Sequence, residues 1–324
     1  MKVFVTRNIA PEAVQLMEEA GVAVTQWQER RELEPEELIG HCMHYDALLV
    51  AGKSKIDRQF LQVCHHLKVI ALHSVGYDNV DVDAASEYGI PIGNTPGVLS
   101  AATAETAFLL MMAVSRKAFY MHRRIINGEW GFNAPMDNLG ISLQGKTLGI
   151  FGLGKIGMEL ARKSIAVYDM KVIYHNRHHN EEAEAKYDAE YVSFEELLQR
   201  SDVLSVHAAL TPETKERFNM DAFRQMKSTA IFINAARGGI HNEQHLISAL
   251  NSGIIWGAGL DVTNPEPMLP DNPLLTMPTV AVLPHIGSAT VETRTAMALI
   301  AARNVVAGLH SEPLPHAVNP EVYS

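Results

Sequence analysis

The sequence predicts an α/β protein made of two doubly wound parallel-sheet domains. Three observations lead there: short β-branched runs alternate with helical patterns from end to end, a glycine fingerprint interrupts the alternation once, and two long Ala- and Leu-rich segments flank the part that contains it. Strands separated by helices read as βαβ units, because neighbouring parallel strands need a crossover. The 324 residues suffice for two domains of roughly 100–200 residues each. With 47% hydrophobic and 20% charged residues, a sizeable core forms without disulfide or metal staples.

In the first hundred residues the strand candidates are 3–5, 22–25, 47–51, 69–72 and 90–92. Between them lie amphipathic stretches at 11–20, 35–41 and 57–65; Pro11 opens the first and Gly21 closes it. An apolar-rich segment, 101–127, reads as one helix ending at Gly128, too long for an ordinary crossover and able to bridge two domains. After a loop near 133–143, strands restart at 146–151, 171–174, 203–207, 230–234, 255–261 and 279–283. A last helix, 289–309, resembles the first bridge and would carry the chain back, so that 318–323 docks on the N-terminal domain. The expected domains are therefore 1–100 with 290–324, and 101–289.

The formal charge of −10 argues against nucleic acid or an anionic membrane as partner, since both need clustered Lys and Arg. An anionic substrate would need a local basic site. The apolar run within Met1–Arg7 is too short for a signal peptide or anchor, and no stretch approaches the roughly 20 apolar residues of a membrane span. Cys42 and Cys64 do not make a disulfide framework and read as small apolar packing in a reducing compartment. The expected location is the cytoplasm.

The run Thr147-Leu-Gly-Ile-Phe-Gly152-Leu-Gly154-Lys155-Ile156-Gly157 puts Gly-x-Gly-x-x-Gly after a strand and at a helix start. That context makes it a dinucleotide fingerprint. Gly152 would make the turn, Gly154 would admit the pyrophosphate, and Gly157 would let helix and strand pack closely. The helix start, with Lys155 and Ile156, supplies the anion site. An NAD-selective site usually has an acid about 20 residues on. Here the second strand ends in His175-Asn176-Arg177-His178-His179. An Asp would repel a 2′-phosphate, whereas Arg177 can pair with it, so NADPH is expected over NADH, with NAD accepted at lower preference. The His-rich run has no carboxylate or cysteine completing a ligand set, so no metal site is expected.

Three polar motifs follow, each near the C-terminal end of an expected strand, where open α/β sheets bind ligands. Asn234-Ala235-Ala236-Arg237-Gly238-Gly239 offers an Arg flanked by glycines, suited to a carboxylate. Asp261-Val-Thr-Asn-Pro265-Glu266-Pro267 holds Glu266 between prolines, and Pro284-His285-Ile-Gly287-Ser-Ala-Thr290 places a histidine before a helix. Histidine titrates near neutrality and can give or take a proton, and a nearby carboxylate favours its charged form.

Together with Ser74-Val75-Gly76-Tyr77-Asp78-Asn79, Asn94-Thr-Pro-Gly-Val98 and Leu210-Thr-Pro-Glu-Thr214, these motifs resemble the D-isomer-specific 2-hydroxyacid dehydrogenases over nearly the whole chain. The resemblance is strongest to the glyoxylate/hydroxypyruvate reductase and 2-ketogluconate reductase branch. It implies a flavodoxin-like substrate domain and a Rossmann cofactor domain, working as a homodimer. It also implies reduction of small 2-oxo acids (glyoxylate, hydroxypyruvate or 2-keto-D-gluconate) to D-2-hydroxy acids. Arg237 would then bind the carboxylate and polarise the carbonyl, His285 would donate the proton, and Glu266 would partner His285. Backbone N–H groups of Ser74, Val75 and Gly76 would also meet the carboxylate. Thr103, Asn176, Ala235 and Asp261 would join the glycine turn and His285 around the cofactor, with Asp261 at the carboxamide.

Several features lie outside that set. His207-Ala208-Ala209 stands where the family often has a proline, and His241-Asn242 replaces a frequent Val-Asp; the latter reads as surface variation. Lys53 and Ser54 fit a substrate mouth or a plain structural loop equally, and Trp130 reads as interdomain or interface packing. A redox-sensing regulator of the same fold is the alternative from another class. A phosphoglycerate or formate dehydrogenase ranks lower, because no C-terminal regulatory extension is expected and the cofactor site looks unlike an NAD one.

Overall fold

The computed structural model describes residues 1–132 and 134–324. In chain order its elements are β1 (Lys2–Val5), α1 (Pro11–Glu19), β2 (Ala23–Gln26), α2 (Pro35–Cys42), β3 (Ala47–Val50), α3 (Arg58–Val63), β4 (Val69–Leu72), α4 (Val82–Glu87) and β5 (Ile92–Gly93). Next come α5 (Ser100–Ser115), α6 (Ala118–Ile126), β6 (Thr147–Phe151), α7 (Lys155–Tyr168), β7 (Lys171–His175), α8 (Glu181–Tyr187), β8 (Glu190–Tyr191), α9 (Phe194–Arg200) and β9 (Val203–Val206). The chain finishes with α10 (Met220–Gln225), β10 (Ile231–Asn234), α11 (Glu243–Asn251), β11 (Gly257–Leu260), β12 (Val280–Val282) and α12 (Val291–Leu309). Two compact units result, Met1–Leu99 with Ala289–Ser324, and Ser100–Ser288.

The first unit carries a five-stranded parallel sheet in the order β2-β1-β3-β4-β5, the flavodoxin type. Its central strands are apolar on both faces because helices cover both. Val3 and Val5 face one way, with Ala13 and Met17 of α1 and Ala298, Ala301 and Val305 of α12. Phe4 faces the other way, with Leu38, Phe60 and Ala84 of α2, α3 and α4. The chain end docks on β5: Asn319 accepts from Ile92 N (2.7 Å) and donates to Ile90 O (3.0 Å), satisfying an edge strand.

The second unit carries a seven-stranded parallel sheet in the order β12-β11-β10-β9-β6-β7-β8. This is the Rossmann order with one strand added. Ala107 and Leu110 of α5 and Leu160 of α7 share one core cluster with Leu148 and Ile150 of β6. Leu197, Phe223 and Leu246 of α9, α10 and α11 share the other with Leu204 and Phe232.

The expected single helix over 101–127 is two. Lys117 takes φ 55 between α5 and α6, and Ile141 N donates to Ser115 O at 2.9 Å. A tertiary partner thus captures the carbonyl that the next helical turn needed. Asn133, where the expected loop begins, lies outside the described residues. The short α4 and β8 were not expected; elements of six and two residues carry too little periodicity to be read. No helix among the described residues is long and apolar enough to cross a membrane.

Candidate active site

Strand order reverses between β6 and β9, and such a switch point opens a crevice at the strands' C-terminal ends. The three fingerprint glycines line it for three different reasons. Gly152 has φ 94, and a Cβ there would sit 2.6 Å from Ala208 N at the end of β9. Gly157 packs within 3.1 Å of Ile150 Cγ2 when given a Cβ. Around Gly154, the N-cap of α7, an added Cβ meets nothing within 4 Å. That open cradle lies at a helix start whose first-turn N–H groups lack intrahelical acceptors, with Lys155 exposed and Ile156 half-buried beside it. The residues fit the pyrophosphate of a dinucleotide.

Asn176 braces this turn: its Oδ1 accepts from Leu153 N (2.6 Å) and its Nδ2 donates to Leu153 O (3.3 Å). Asn180 adds a bond to Leu153 O at 2.8 Å. Arg177 is exposed at the same strand end. Glu213 lies across from it; a Thr211 hydrogen bond chiefly, and Arg177 among lesser causes, hold the Glu213 carboxyl below its usual range.

The three polar motifs follow adjacent strands β10, β11 and β12. At the end of β10, Asn234 is fully buried; its Oδ1 accepts from Ala236 N (3.0 Å) and its Nδ2 donates to Arg237 O (2.9 Å). Those bonds set the turn from which half-buried Arg237 projects, with buried Ala235 beneath. Gly238 presses on the next loop: an added Cβ would lie 1.9 Å from Thr263 O, so the Arg237 turn and the loop leading to Glu266 touch backbone to backbone.

Beyond β12, His285 adopts φ 55, a left-handed conformation costly for a residue with a Cβ. Asp261 enforces it. The Asp261 carbonyl accepts from His285 N (2.8 Å), and its carboxylate takes Ile286 N and Gly287 N, both at 2.8 Å. Asp261 is only 2% exposed, and burial pushes its carboxyl up despite the two N–H bonds that favour the anion. Charge-assisted bonds of this kind contribute about 1.5–3 kcal/mol each. Thr103 of α5 is buried against the same loop, 3.3 Å from a Cβ built on Gly287. The outcome is a 2.6 Å contact between His285 Nδ1 and Glu266 Oε1, with His285 still 42% exposed. Glu266 accepting at Nδ1 leaves Nε2 as the nitrogen open to a ligand.

In the first unit, Ser74, Val75 and Gly76 form the loop beyond β4, where Ser74 Oγ donates to Gly76 O (2.7 Å) and Asn94 Nδ2 to Val75 O (2.9 Å). Among the described residues, the Val75 and Gly76 N–H groups meet no acceptor.

Two residues here escaped sequence reasoning. His241, read as surface variation, is completely buried; it packs edge-on to Phe232 and accepts from Asn234 Nδ2 at 3.0 Å. It therefore closes the network under the Arg237 turn. Burial pushes it down to about 4, as expected when desolvation disfavours the charged form. Glu243 is the other, a nearly buried carboxylate at the start of α11. Polar residues on either side of an Asn N-cap ordinarily face water, so neither carried a signal.

Residues 108–287 match the model of the D-isomer specific 2-hydroxyacid dehydrogenase NAD binding domain. A glyoxylate reductase of Aeropyrum pernix is 40% identical over 326 aligned positions, covering 99% of this chain and 96% of that protein. A human glyoxylate reductase/hydroxypyruvate reductase is 41% identical, covering 97% of each. Among solved structures, an NADPH-dependent glyoxylate/hydroxypyruvate reductase of Sinorhizobium meliloti, in complex with NADP and malonate, superposes with TM-score 0.84 at 29% identity, covering 98% of this chain and 97% of that one.

Proposed function

The chain belongs to the D-isomer-specific 2-hydroxyacid dehydrogenase family, and from that footing we propose that it reduces small 2-oxo acids to D-2-hydroxy acids with NADPH. Glyoxylate and hydroxypyruvate are the first substrates to test, and 2-keto-D-gluconate the third. The observation that carries the reading is the 2.6 Å pair of His285 and Glu266 at a strand end beside the Arg237 turn.

The net reaction takes a 2-oxo acid, NADPH and a proton to the 2-hydroxy acid and NADP. When bound, the nicotinamide supplies the hydride that adds to the carbonyl carbon. His285 gives the carbonyl oxygen its proton from Nε2, while Glu266 holds Nδ1–H and stabilises the imidazolium. Arg237 pairs with the carboxylate and stabilises charge developing on the oxygen. The N–H groups of Ser74, Val75 and Gly76 serve the carboxylate as well.

NADPH is preferred because the β7 end offers exposed Arg177 and no acid. Asp261 has both carboxylate oxygens engaged on the His285 loop, so its service to the carboxamide is joined to holding His285. Ile126, Trp130, Phe132 (92%) and Met136 are exposed apolar side chains within one short stretch of chain, which fits burial in a homodimer. Two buried free cysteines suit a reducing cytoplasm. The test is a panel of the three 2-oxo acids with NADPH and NADH. Turnover of at least one with a higher kcat/KM for NADPH is expected; cofactor binding without turnover would instead favour the redox-sensing regulator.

A further inference from the structure

We infer that Glu243, which has no part in the chemistry above, is the positioning residue that fixes Glu266 against His285. The inference rests on the proposed acid–base pair. Glu243 is the first residue of α11, 6% exposed. Its Oε2 accepts from Asn264 N at 3.1 Å, and its Oε1 from Asn272 Nδ2 at 2.7 Å. Those two partners are the start and the end of the loop that carries Glu266, so one carboxylate clamps both feet of the loop.

Much of the loop is open to water. Pro265, Pro267, Leu269, Pro270 and Asp271 are all exposed, and a segment with few buried contacts opens easily. Its other fastenings include Thr263 Oγ1 to Pro265 O at 2.8 Å, Asn272 N to Leu269 O at 3.1 Å and half-buried Met268 against the core. The clamp itself is rigid. Asn242 caps α11 through His245 N (3.0 Å), and Leu246 and Ala249 anchor the helix in the core. The helix N-terminus also favours a negative charge at its first residue. On the loop side, Asn272 is fixed by Oδ1 accepting from Leu274 N at 3.0 Å. The imidazole–carboxylate contact is 2.6 Å long, so a loop shift of about 1 Å takes it out of hydrogen-bond range.

The experiment compares glyoxylate reduction by E243Q, E266Q, the double variant and N272A, with thermal midpoints measured alongside. E243Q keeps the side chain's shape but only one acceptor. It should lose about tenfold in kcat, since misplacing a catalytic group by about 1 Å costs up to about 100-fold, with the KM for NADPH unchanged. The double variant should be no slower than E266Q alone, because Glu243 acts through Glu266. N272A, which opens the clamp from the loop side, should lower kcat in the same pattern and carries the test if E243Q does not fold. A slow E266Q beside an E243Q of full kcat, or losses that multiply in the double variant, would overturn the positioning role alone. An E266Q of full kcat would overturn the acid–base reading and the positioning role with it.

Discussion

Replacing Gly238 by Ala puts a methyl group where the Arg237 turn meets the Glu266 loop. The added Cβ would lie 1.9 Å from Thr263 O and 2.3 Å from its carbonyl carbon. Both are backbone atoms, so no side chain can swing aside. Contacts shorter than about 3 Å are not tolerated, and the two loops must separate by about an ångström. Overpacking of this kind costs about 1–3 kcal/mol, which for a unit of this size lowers the thermal midpoint by roughly 3–9 °C. The same displacement moves Arg237 away from Glu266 and His285, and misplacement by about 1 Å can cost up to about 100-fold in rate. The assay is kcat/KM for glyoxylate reduction beside a thermal melt and a titration of NADPH binding. The expected result is a folded protein that binds NADPH normally and turns over roughly 100-fold more slowly. A G238A enzyme with wild-type melting and wild-type kcat/KM would refute the reasoning.

Arg177→Asp should raise the KM for NADPH at least tenfold, since a phosphate contact is exchanged for a repulsion, and leave the KM for NADH within a few-fold; equal effects on both cofactors would count against 2′-phosphate recognition. Gly152→Ala should weaken NADPH binding and stability together, because φ 94 is strained for Ala and its Cβ meets Ala208 N at 2.6 Å; unchanged binding would contradict that. Stability should fall on acidification because of His241, which is buried neutral and pushed down to about 4. An unfolded histidine titrates near 6.5, so between about pH 6.5 and 4 the unfolded state binds the extra proton. This contribution is whole above pH 6.5 and is lost as pH falls, by about 3 kcal/mol at the lower end. Urea unfolding at pH 7 and pH 4.5 reads it, and His241→Gln should flatten the slope; a slope unchanged in that variant would show that other groups cause it.

Much of the fold was legible because its central strands have no polar side. Residues 47–50 and 69–72 are continuous apolar runs, which only a sheet covered on both faces accommodates. The break between α5 and α6 was not legible, since its cause, Ile141 N on Ser115 O, comes from a residue 26 positions further on. Candidate site residues stood out wherever a charged or glycine-rich motif followed a strand, as at Arg237, Glu266 and His285. What the motifs lacked was their supports. His241 and Glu243 look like ordinary polar residues at a helix start, and only tertiary packing makes one a buried acceptor for Asn234 and the other a clamp on the Glu266 loop. Nor did the sequence show that Asn176, expected around the cofactor, braces the glycine turn through the Leu153 peptide.

The most direct test of the catalytic account is the turnover of His285→Gln with glyoxylate and NADPH, measured together with NADPH binding. Removing a positioned acid costs about 100- to 10,000-fold, so the variant should bind NADPH as the wild type does and lose kcat by that factor. An H285Q enzyme that binds NADPH and keeps wild-type turnover would contradict the account.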